Sequence, residues 1–487
     1  MKLKDLCKQI FHNQVLWYAL SRYMISGISF VTSMIIAVKL GSYLLGIYGF
    51  FLLMRNYFKI ANLGVPDSTT ILIIHNKNDE VKIGNYEKNA VALTSIVSVA
   101  IFLFGIANFI FEFNFVNKYE LTWEFLLICV IAIFTLYNDL FFKIYRVEGR
   151  VGELTFYQSV IQIFCFIAAL LFKGRLLLNI LLICYLVGNL ASLFLFVYKG
   201  YLNLRGTIRI AYIKTLFNKG FFLFLFNFLA NYIFLSTRTA VSAYYEVTEF
   251  GMFTFAYTLS NGIMVLIDAL AALLIPKLID RFNTYNNVVI KDTIQLIKIN
   301  YTYTAYVLTW ILIIAFTVLL CFLDSYYDAF DILIYMSLTV VLHTHAFPYS
   351  TLLMAKNKEK QIALCSAISL AFNILLILLL IGVLKTSYQY VIIATWFSYF
   401  LYSYLCIFFT RRLMNGNCNF FSILTELFPV GLLLSVICAI LIAVFNIRLL
   451  IIIPLVLFSL MNRKFFVMLY ASLIKLISNP KIIDIKH

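Results

Sequence analysis

Long apolar stretches, interrupted by short polar turns, run from one end of this chain to the other. Some fourteen of them approach the ~20 residues a helix needs to cross the hydrocarbon layer of a bilayer. In the first half they fall at residues 15–38, 43–65, 90–111, 121–142, 154–172 and 176–197. In the second they fall at 220–241, 250–275, 301–322, 332–354, 362–384 and 390–409, followed by 423–444 and 449–461. The last is short, which suits a tilted span, one extended past Asn462, or a partly interfacial segment. The pattern predicts an all-α polytopic membrane protein with about 14 transmembrane helices.

Lys and Arg then test the register. One set of loops collects Lys2, Lys4 and Lys8, then Lys77, Lys82 and Lys88, then Lys143, Arg146 and Arg150. The same set holds the cluster from Lys199 to Lys219, the cluster from Lys277 to Lys298, and Lys356, Lys358, Lys360, Arg411, Arg412 and the tail from Arg463. The opposite set has little beyond Lys39, Lys118, Lys173, Arg175, Lys385 and Arg448, with the acids Asp324, Asp328 and Asp331. Missing one span midway would reverse every later loop, so the alternation supports the whole series. The positive-inside rule places the rich side, and both termini, in the cytoplasm.

A repeat divides the series. The run Ala37-Val38-Lys39-Leu40-Gly41-Ser42, continuing to Gly49-Phe50-Phe51, resembles Ala240-Val241-Ser242, continuing to Gly251-Met252-Phe253. Each run covers the outer turn between the first two spans of a half, and both halves start on the same side, as in parallel repeats. Chance likeness between short aromatic-Gly-aromatic runs is the plain alternative. The expected organisation is a six-helix lobe at 1–199, an amphipathic cytoplasmic connector at 200–219, a second six-helix lobe at 220–412, and a terminal helix pair with a basic tail at 413–487. Residues 207–217 mix apolar positions with Arg209 and Lys214, the pattern of an interfacial helix anchored to anionic lipid.

Composition agrees with lipid as the solvent. The 487 residues are 63% hydrophobic and 12% charged, with a mean hydropathy of +0.95, whereas soluble domains are about half apolar and a quarter charged. The net charge of +16 resides in juxtamembrane loops, so topology explains it and no nucleic-acid partner is expected. Nine scattered cysteines without a close Cys-x-x-Cys pair indicate neither a disulfide framework nor a metal site. Residues 15–38 are too long for a cleavable signal and lack a clear cleavage site.

Polar residues within the spans carry the functional signal, because an Arg at bilayer depth costs about 2.5–3.5 kcal/mol on insertion scales. Arg55 lies near the middle of the second stretch, with Lys59 and Asn62 following on one helical face. Arg22, Ser26, Ser29 and Ser33 form a stripe on the first. Asn227, Asn231 and Arg238 mark the seventh, and Thr254, Tyr257, Asn261 and Asp268 the eighth. All four stripes lie on the first two helices of a lobe, as expected of helices lining a hydrated cleft. Arg22 lies about two turns from the cytoplasmic end, where snorkelling also accounts for it. Asp139 has a local partner available in Lys143, four residues on. Arg55 is too deep to snorkel, so it needs a cavity or an acid. A cationic cavity implies an anionic ligand, and a guanidinium fork suits phosphate.

The chain resembles the Wzx-type O-antigen and polysaccharide flippases of the multidrug/oligosaccharidyl-lipid/polysaccharide exporter superfamily over nearly its whole length. The marks are the run from Leu40 to Phe50, Asn62-Leu63-Gly64, Tyr145-Arg146-Val147-Glu148-Gly149-Arg150, the run from Glu249 to Tyr257, and Leu274-Ile275-Pro276-Lys277-Leu278. The resemblance implies alternating access and a lipid-linked oligosaccharide, joined by diphosphate to undecaprenol, turned across the bacterial inner membrane. It implies Arg22 and Arg55 as diphosphate ligands, Arg238 nearer the outer exit, and Lys59, Asn62, Asn231 and Asn261 along the cavity. A polysaccharide polymerase and a chain-length regulator are the protein partners it suggests. The family often has an acid just before the position of Arg238, where this chain has Ser236-Thr237.

No Gly-x-x-x-x-Gly-Lys-[Ser/Thr] loop occurs, so neither ATP hydrolysis nor a cofactor is expected. If an ion gradient drives transport, Asp139 and Asp268 are the candidate carboxylates. A peptidoglycan-precursor flippase has the same span count. A multidrug antiporter fits less well, having typically twelve spans and acidic cavities. A membrane polymerase or glycosyltransferase would need reactive groups and usually a sizeable outer loop, whereas the outer loops here are short and His343-Thr344-His345 lies in an apolar run without clustered acids.

Overall fold

A computed structural model describes residues 14–147, 151–198 and 206–467, and every apolar stretch marked above falls largely on helix. The helices are α1 Gln14–Ile60, α2 Val65–His75, α3 Glu80–Phe111, α4 Trp123–Arg146, α5 Val151–Leu171, α6 Gly174–Tyr198, α7 Ile210–Tyr244 and α8 Val247–Thr284. They continue as α9 Asn287–Ile297, α10 Tyr303–Leu320, α11 Phe330–Thr344, α12 Phe347–Ala355, α13 Glu359–Leu378 and α14 Ile392–Leu413. The terminal elements are α15 Phe420–Leu427, α16 Val430–Val444 and α17 Ile453–Met461.

Among the described residues nine helices are long and apolar enough to cross a membrane, or ten when α15 and α16, bent by 67°, count as one span. The first of these carries two of the predicted stretches, since α1 continues through a break at Gly41 (φ 72°, ψ 173°). Residues 154–172 and 449–461 fall on shorter apolar helices, and 220–241 lies within α7. The protein is an all-α, polytopic membrane protein.

Burial is inverted relative to a water-soluble helix, and α3 shows why. Its inward face carries Asn85, Asn89, Thr94, Ser98 and Asn108, whereas Ile96, Val99, Leu103, Phe109 and Ile110 point outward. Lipid is as apolar as a leucine core, so helix association relies on close packing and hydrogen bonds rather than on hiding oil from water. The serine and threonine hydroxyls mostly bond the carbonyl four residues back, as Thr94 does to Ala90 (3.0 Å) and Ser98 to Thr94 (2.8 Å). The polar start of α3 is capped by Asp79, which accepts from the Lys82 amide at 3.0 Å. That bond, with the Lys82 ammonium beside it, holds the Asp79 carboxyl below its ordinary pKa.

The chain divides into two compact units, one running to Thr258 and the other from Leu259, with the boundary inside α8. In the first unit α5 packs on α6, α3 on α4, and α1 on α4, α5 and α6, while α2 and α3 meet α7. In the second α11 is the central helix, buried along most of its length and packed on α10, α14 and α16. Residues 210–219 of the expected connector are the opening turns of α7, continuous with the seventh stretch.

The segment just before α7 is clamped to α3. Asn85 Oδ1 accepts from the Thr207 amide (2.6 Å), Asn89 Nδ2 donates to the Thr207 carbonyl (2.8 Å), and Asn89 Oδ1 accepts from the Arg209 amide (3.0 Å). Asn89 is fully buried, so replacing it leaves two backbone groups without partners. Asn89→Ala should lower stability by about 1–3 kcal/mol, read as a drop in the thermal midpoint of the detergent-purified protein. An unchanged midpoint would show that the clamp is dispensable.

Cations on the sparse side have structural work. Lys39 donates to the Leu170 carbonyl at the end of α5 (2.7 Å), and Arg448 to the Tyr327 carbonyl (2.8 Å). Lys118 donates to the Ser242, Ala243 and Tyr245 carbonyls at the end of α7 (2.7, 3.2 and 2.5 Å). Each satisfies carbonyls a helix end or turn leaves over. Burial pushes the Lys118 ammonium below its ordinary pKa, and Glu249 nearby opposes that.

Candidate functional site

The first unit brings an arginine-rich group together from α1, α4, α6, α7 and the start of α8. Arg55, half-buried on α1, lies over the Tyr185 ring of α6 at 4.9 Å. Tyr185 in turn shares a 3.2 Å hydroxyl contact with Tyr48, further back along α1. Among the described residues Arg55 makes no ion pair with a carboxylate. A cation over an aromatic face is stabilised by about 0.5–2 kcal/mol, less than burial of a charge costs, so the guanidinium retains capacity for an anion.

Arg238 takes a different position. It is 1% exposed, and its Nη2 donates to the Gly49 carbonyl on α1 at 2.9 Å. The guanidinium lies 4.5 Å from the Tyr257 ring and 5.7 Å from that of Phe250, while its Nε has no partner among the described residues. Arg55 is near enough to repel it. Two buried or half-buried guanidinium groups therefore act on each other without a carboxylate ion pair to either among the described residues.

Glycine makes this approach of helices possible. A Cβ on Gly46 would strike the Val247 carbonyl, one on Gly49 the Thr254 side chain, and one on Gly251 the Ser42 carbonyl. The two repeated Gly-containing runs thus pack against each other, the first on α1 and the second on α8. Their likeness is visible in the sequence, which carries no signal that they touch.

Lys59 and Asp139 form a pair at 3.6 Å between α1 and α4, with the lysine side chain about half exposed and the aspartate largely buried. The local partner suggested for Asp139 is otherwise engaged, since Lys143 binds Asp67 of α2 at 2.6 Å. Asn62 is buried at the end of this face, and its Oδ1 has no partner among the described residues. Next to the group, Tyr57 bonds the Tyr232 hydroxyl (3.0 Å) and Thr239 Oγ1 (2.5 Å) of α7, two residues that sequence reasoning missed. Their spacing on α7, with Asn231 exposed beside Tyr232, was the available signal. The side chains of Arg22, Ser26 and Asn227 lie outside the described residues, and Ser33, further along the first stripe, donates to the Ser29 carbonyl (2.9 Å).

Asn261 and Asp268 belong to the second unit, on the later part of α8. Asn261 is half-buried and Asp268 exposed. Asp268 lies near enough to His343 of α11 for their charges to interact, and His343 also meets the Tyr399 ring edge-on at 5.1 Å. An acid does neighbour the His-Thr-His run, supplied by a helix distant in sequence. Among the described residues no cluster of His, Cys, Asp or Glu is placed to hold a metal ion.

The arrangement places charged and amide side chains on apolar helices, two guanidinium groups among them. A solved inward-facing multidrug resistance MATE family transporter of the MOP superfamily matches with a TM-score of 0.64 at 13% identity, covering 82% of this chain and 98% of its own. The lipid II flippase MurJ in an inward closed conformation matches with a TM-score of 0.68 at 12% identity, covering 94% of this chain and all of its own. MATE in a straight conformation matches at 0.55 and 14% identity, covering 82% and 96%. At such identities the likeness is one of fold: this chain has the fold of MOP-superfamily transporters and flippases. No protein-family model matches the chain, and no curated protein matches it.

Proposed function

We propose that this protein is a flippase that carries an undecaprenyl-diphosphate-linked oligosaccharide, such as an O-antigen or capsular repeat unit, across the bacterial inner membrane by alternating access. The observation that carries the reading is Arg55, a permanently charged group on an apolar helix, resting on Tyr185 with no carboxylate ion pair among the described residues. Such a group attracts a phosphorylated head far better than the cationic drug of an antiporter. Arg22, Lys59, Asn62 and Asn231 would complete the polar path of the first unit, with Arg238 freed for the ligand when α1 and α7 part, and Asn261 is the cargo-binding candidate of the second unit. The cytoplasmic side is the Lys- and Arg-rich one, and a polymerase and chain-length regulator would receive the product.

A peptidoglycan-precursor flippase is the second reading, and one finding favours keeping it: the lipid II flippase fold extends over more of the chain than the drug-exporter fold, 94% against 82%. Either cargo places diphosphate at Arg55. If an ion gradient drives the cycle, Asp139 beside Lys59 and Asp268 beside His343 are the groups able to exchange a cation or proton.

Purified protein in liposomes should expose a fluorescent lipid-diphosphate oligosaccharide to a membrane-impermeant quencher without ATP, at least about tenfold faster than empty liposomes, an increment equivalent to 1.4 kcal/mol. Glycosyl transfer without translocation would overturn the proposal in favour of a membrane enzyme. A matched assay with lipid II separates the two cargoes.

A further inference from the structure

The second unit holds a polar chamber unconnected in sequence with the arginine group. Lys298, buried at the π-helical turn before α10, donates from Nζ to the Glu426 carbonyl. Arg411, at the end of α14, pairs with the Glu426 carboxylate and donates to the Asn417 carbonyl (2.7 Å) and Ser422 Oγ (2.8 Å). The Tyr349 hydroxyl donates to the same carboxylate. Lys298, Arg411, Glu426, Gln295, Thr302 and Thr425 wall a cavity of about 470 Å³ on the basic side of the protein.

An apolar groove of about 260 Å³ adjoins it, running between α11, α14 and α16 past Leu338, Leu342, Trp396, Phe400, Leu432 and Val436. His345 lines both spaces. It is 2% exposed, and neither ring nitrogen has a hydrogen-bond partner among the described residues. A buried imidazole left without partners is costly, and a ligand atom in the adjoining chamber would remove that cost. The bend between α15 and α16 at Phe428 and Pro429 joins the two spaces, with Phe428 near His345 (6.0 Å between rings).

We propose that this is a binding site for an anionic glycerophospholipid of the surrounding bilayer, its phosphodiester beside Lys298, Arg411 and His345 and one acyl chain along the groove. A polar chamber opening into an apolar groove fits an amphiphile and nothing purely polar. Charge narrows the class. Two cations against the Glu426 carboxylate leave one net positive charge, which matches a phosphodiester monoanion and falls short of a diphosphate.

Native mass spectrometry and thermal titration of the delipidated, full-length protein in uncharged detergent test this. Phosphatidylglycerol should bind one to one and raise the thermal midpoint, with phosphatidylcholine about tenfold weaker because its head carries a compensating cation. Lys298→Met should weaken phosphatidylglycerol about tenfold, and His345→Leu should weaken it as well. Ile437→Trp fills the groove from a partly exposed position, 42% accessible, and should abolish the lipid adduct while leaving the fold intact even if the lysine variant does not fold. Equal binding of phosphatidylcholine, or undiminished binding by the variants, would overturn the proposal. So would displacement by equimolar polyprenyl diphosphate, which would assign the site to the cargo, or equally tight binding of inorganic phosphate, which would make it a simple anion site. Binding is read without transport, so failure here leaves the flippase reading untouched.

Discussion

Arg55→Ala is expected to reduce translocation of a lipid-diphosphate cargo by about ten- to a hundredfold, the loss of one charge-assisted contact to phosphate worth roughly 1.5–3 kcal/mol. Membrane insertion and thermal midpoint should stay close to those of the unaltered protein, because Arg55 is half-buried and makes one ring contact rather than a network. Arg55→Lys is the informative companion. It keeps the charge but loses the planar fork and the stacking on Tyr185, so activity between the two extremes is expected. Unaltered transport by Arg55→Ala, measured with the quencher assay in liposomes, would remove the basis of the phosphate-binding reading. A variant that fails to insert would instead show that Arg55 holds the fold.

The second large effect concerns Gly251→Ala. One methyl group there meets the Ser42 carbonyl, a backbone atom that cannot swing aside as a side-chain tip can. Forcing α1 from α8 should cost about 1–3 kcal/mol, and it should also disturb the 2.9 Å bond from Arg238 to Gly49. The expected result is a lower thermal midpoint together with reduced transport. Gly382→Ala supplies the control, since a Cβ at that position meets nothing within 4 Å. Equal midpoints for the two variants would show that the close approach of α1 and α8 contributes nothing measurable.

Much of the fold was legible because lipid imposes a simple grammar. Every backbone polar group in hydrocarbon must be satisfied within its own helix, so span length and hydropathy mark helices directly, as they did at residues 90–111 and 176–197. The same grammar hides breaks that cost little. Gly41 interrupts α1 without ending it, and α15 turns by 67° into α16 inside one apolar stretch. The candidate site was legible in part. Arg55 and Arg238 stood out as charges where charge is expensive, but Tyr185, Tyr232 and Thr239 did not, since a tyrosine on an apolar helix has the same appearance whether it faces lipid or a guanidinium.

The partners of the charges were beyond the sequence altogether. Asp139 has Lys143 four residues away, yet Lys143 binds Asp67 and Asp139 binds Lys59. His343 has no nearby acid in the chain, yet Asp268 reaches its surroundings from another helix. The few cations of the sparse side interrupt the loop pattern, and for Lys39, Lys118 and Arg448 the carbonyls they meet at helix ends and turns explain why they are there. By itself the sequence determined the solvent, the helical class and the alternation of charge, because these follow from the composition of each segment and its length. Tertiary structure alone decided which charges pair, which glycines touch and which arginines have no carboxylate ion pair among the described residues, because those depend on distances between helices that no local pattern encodes.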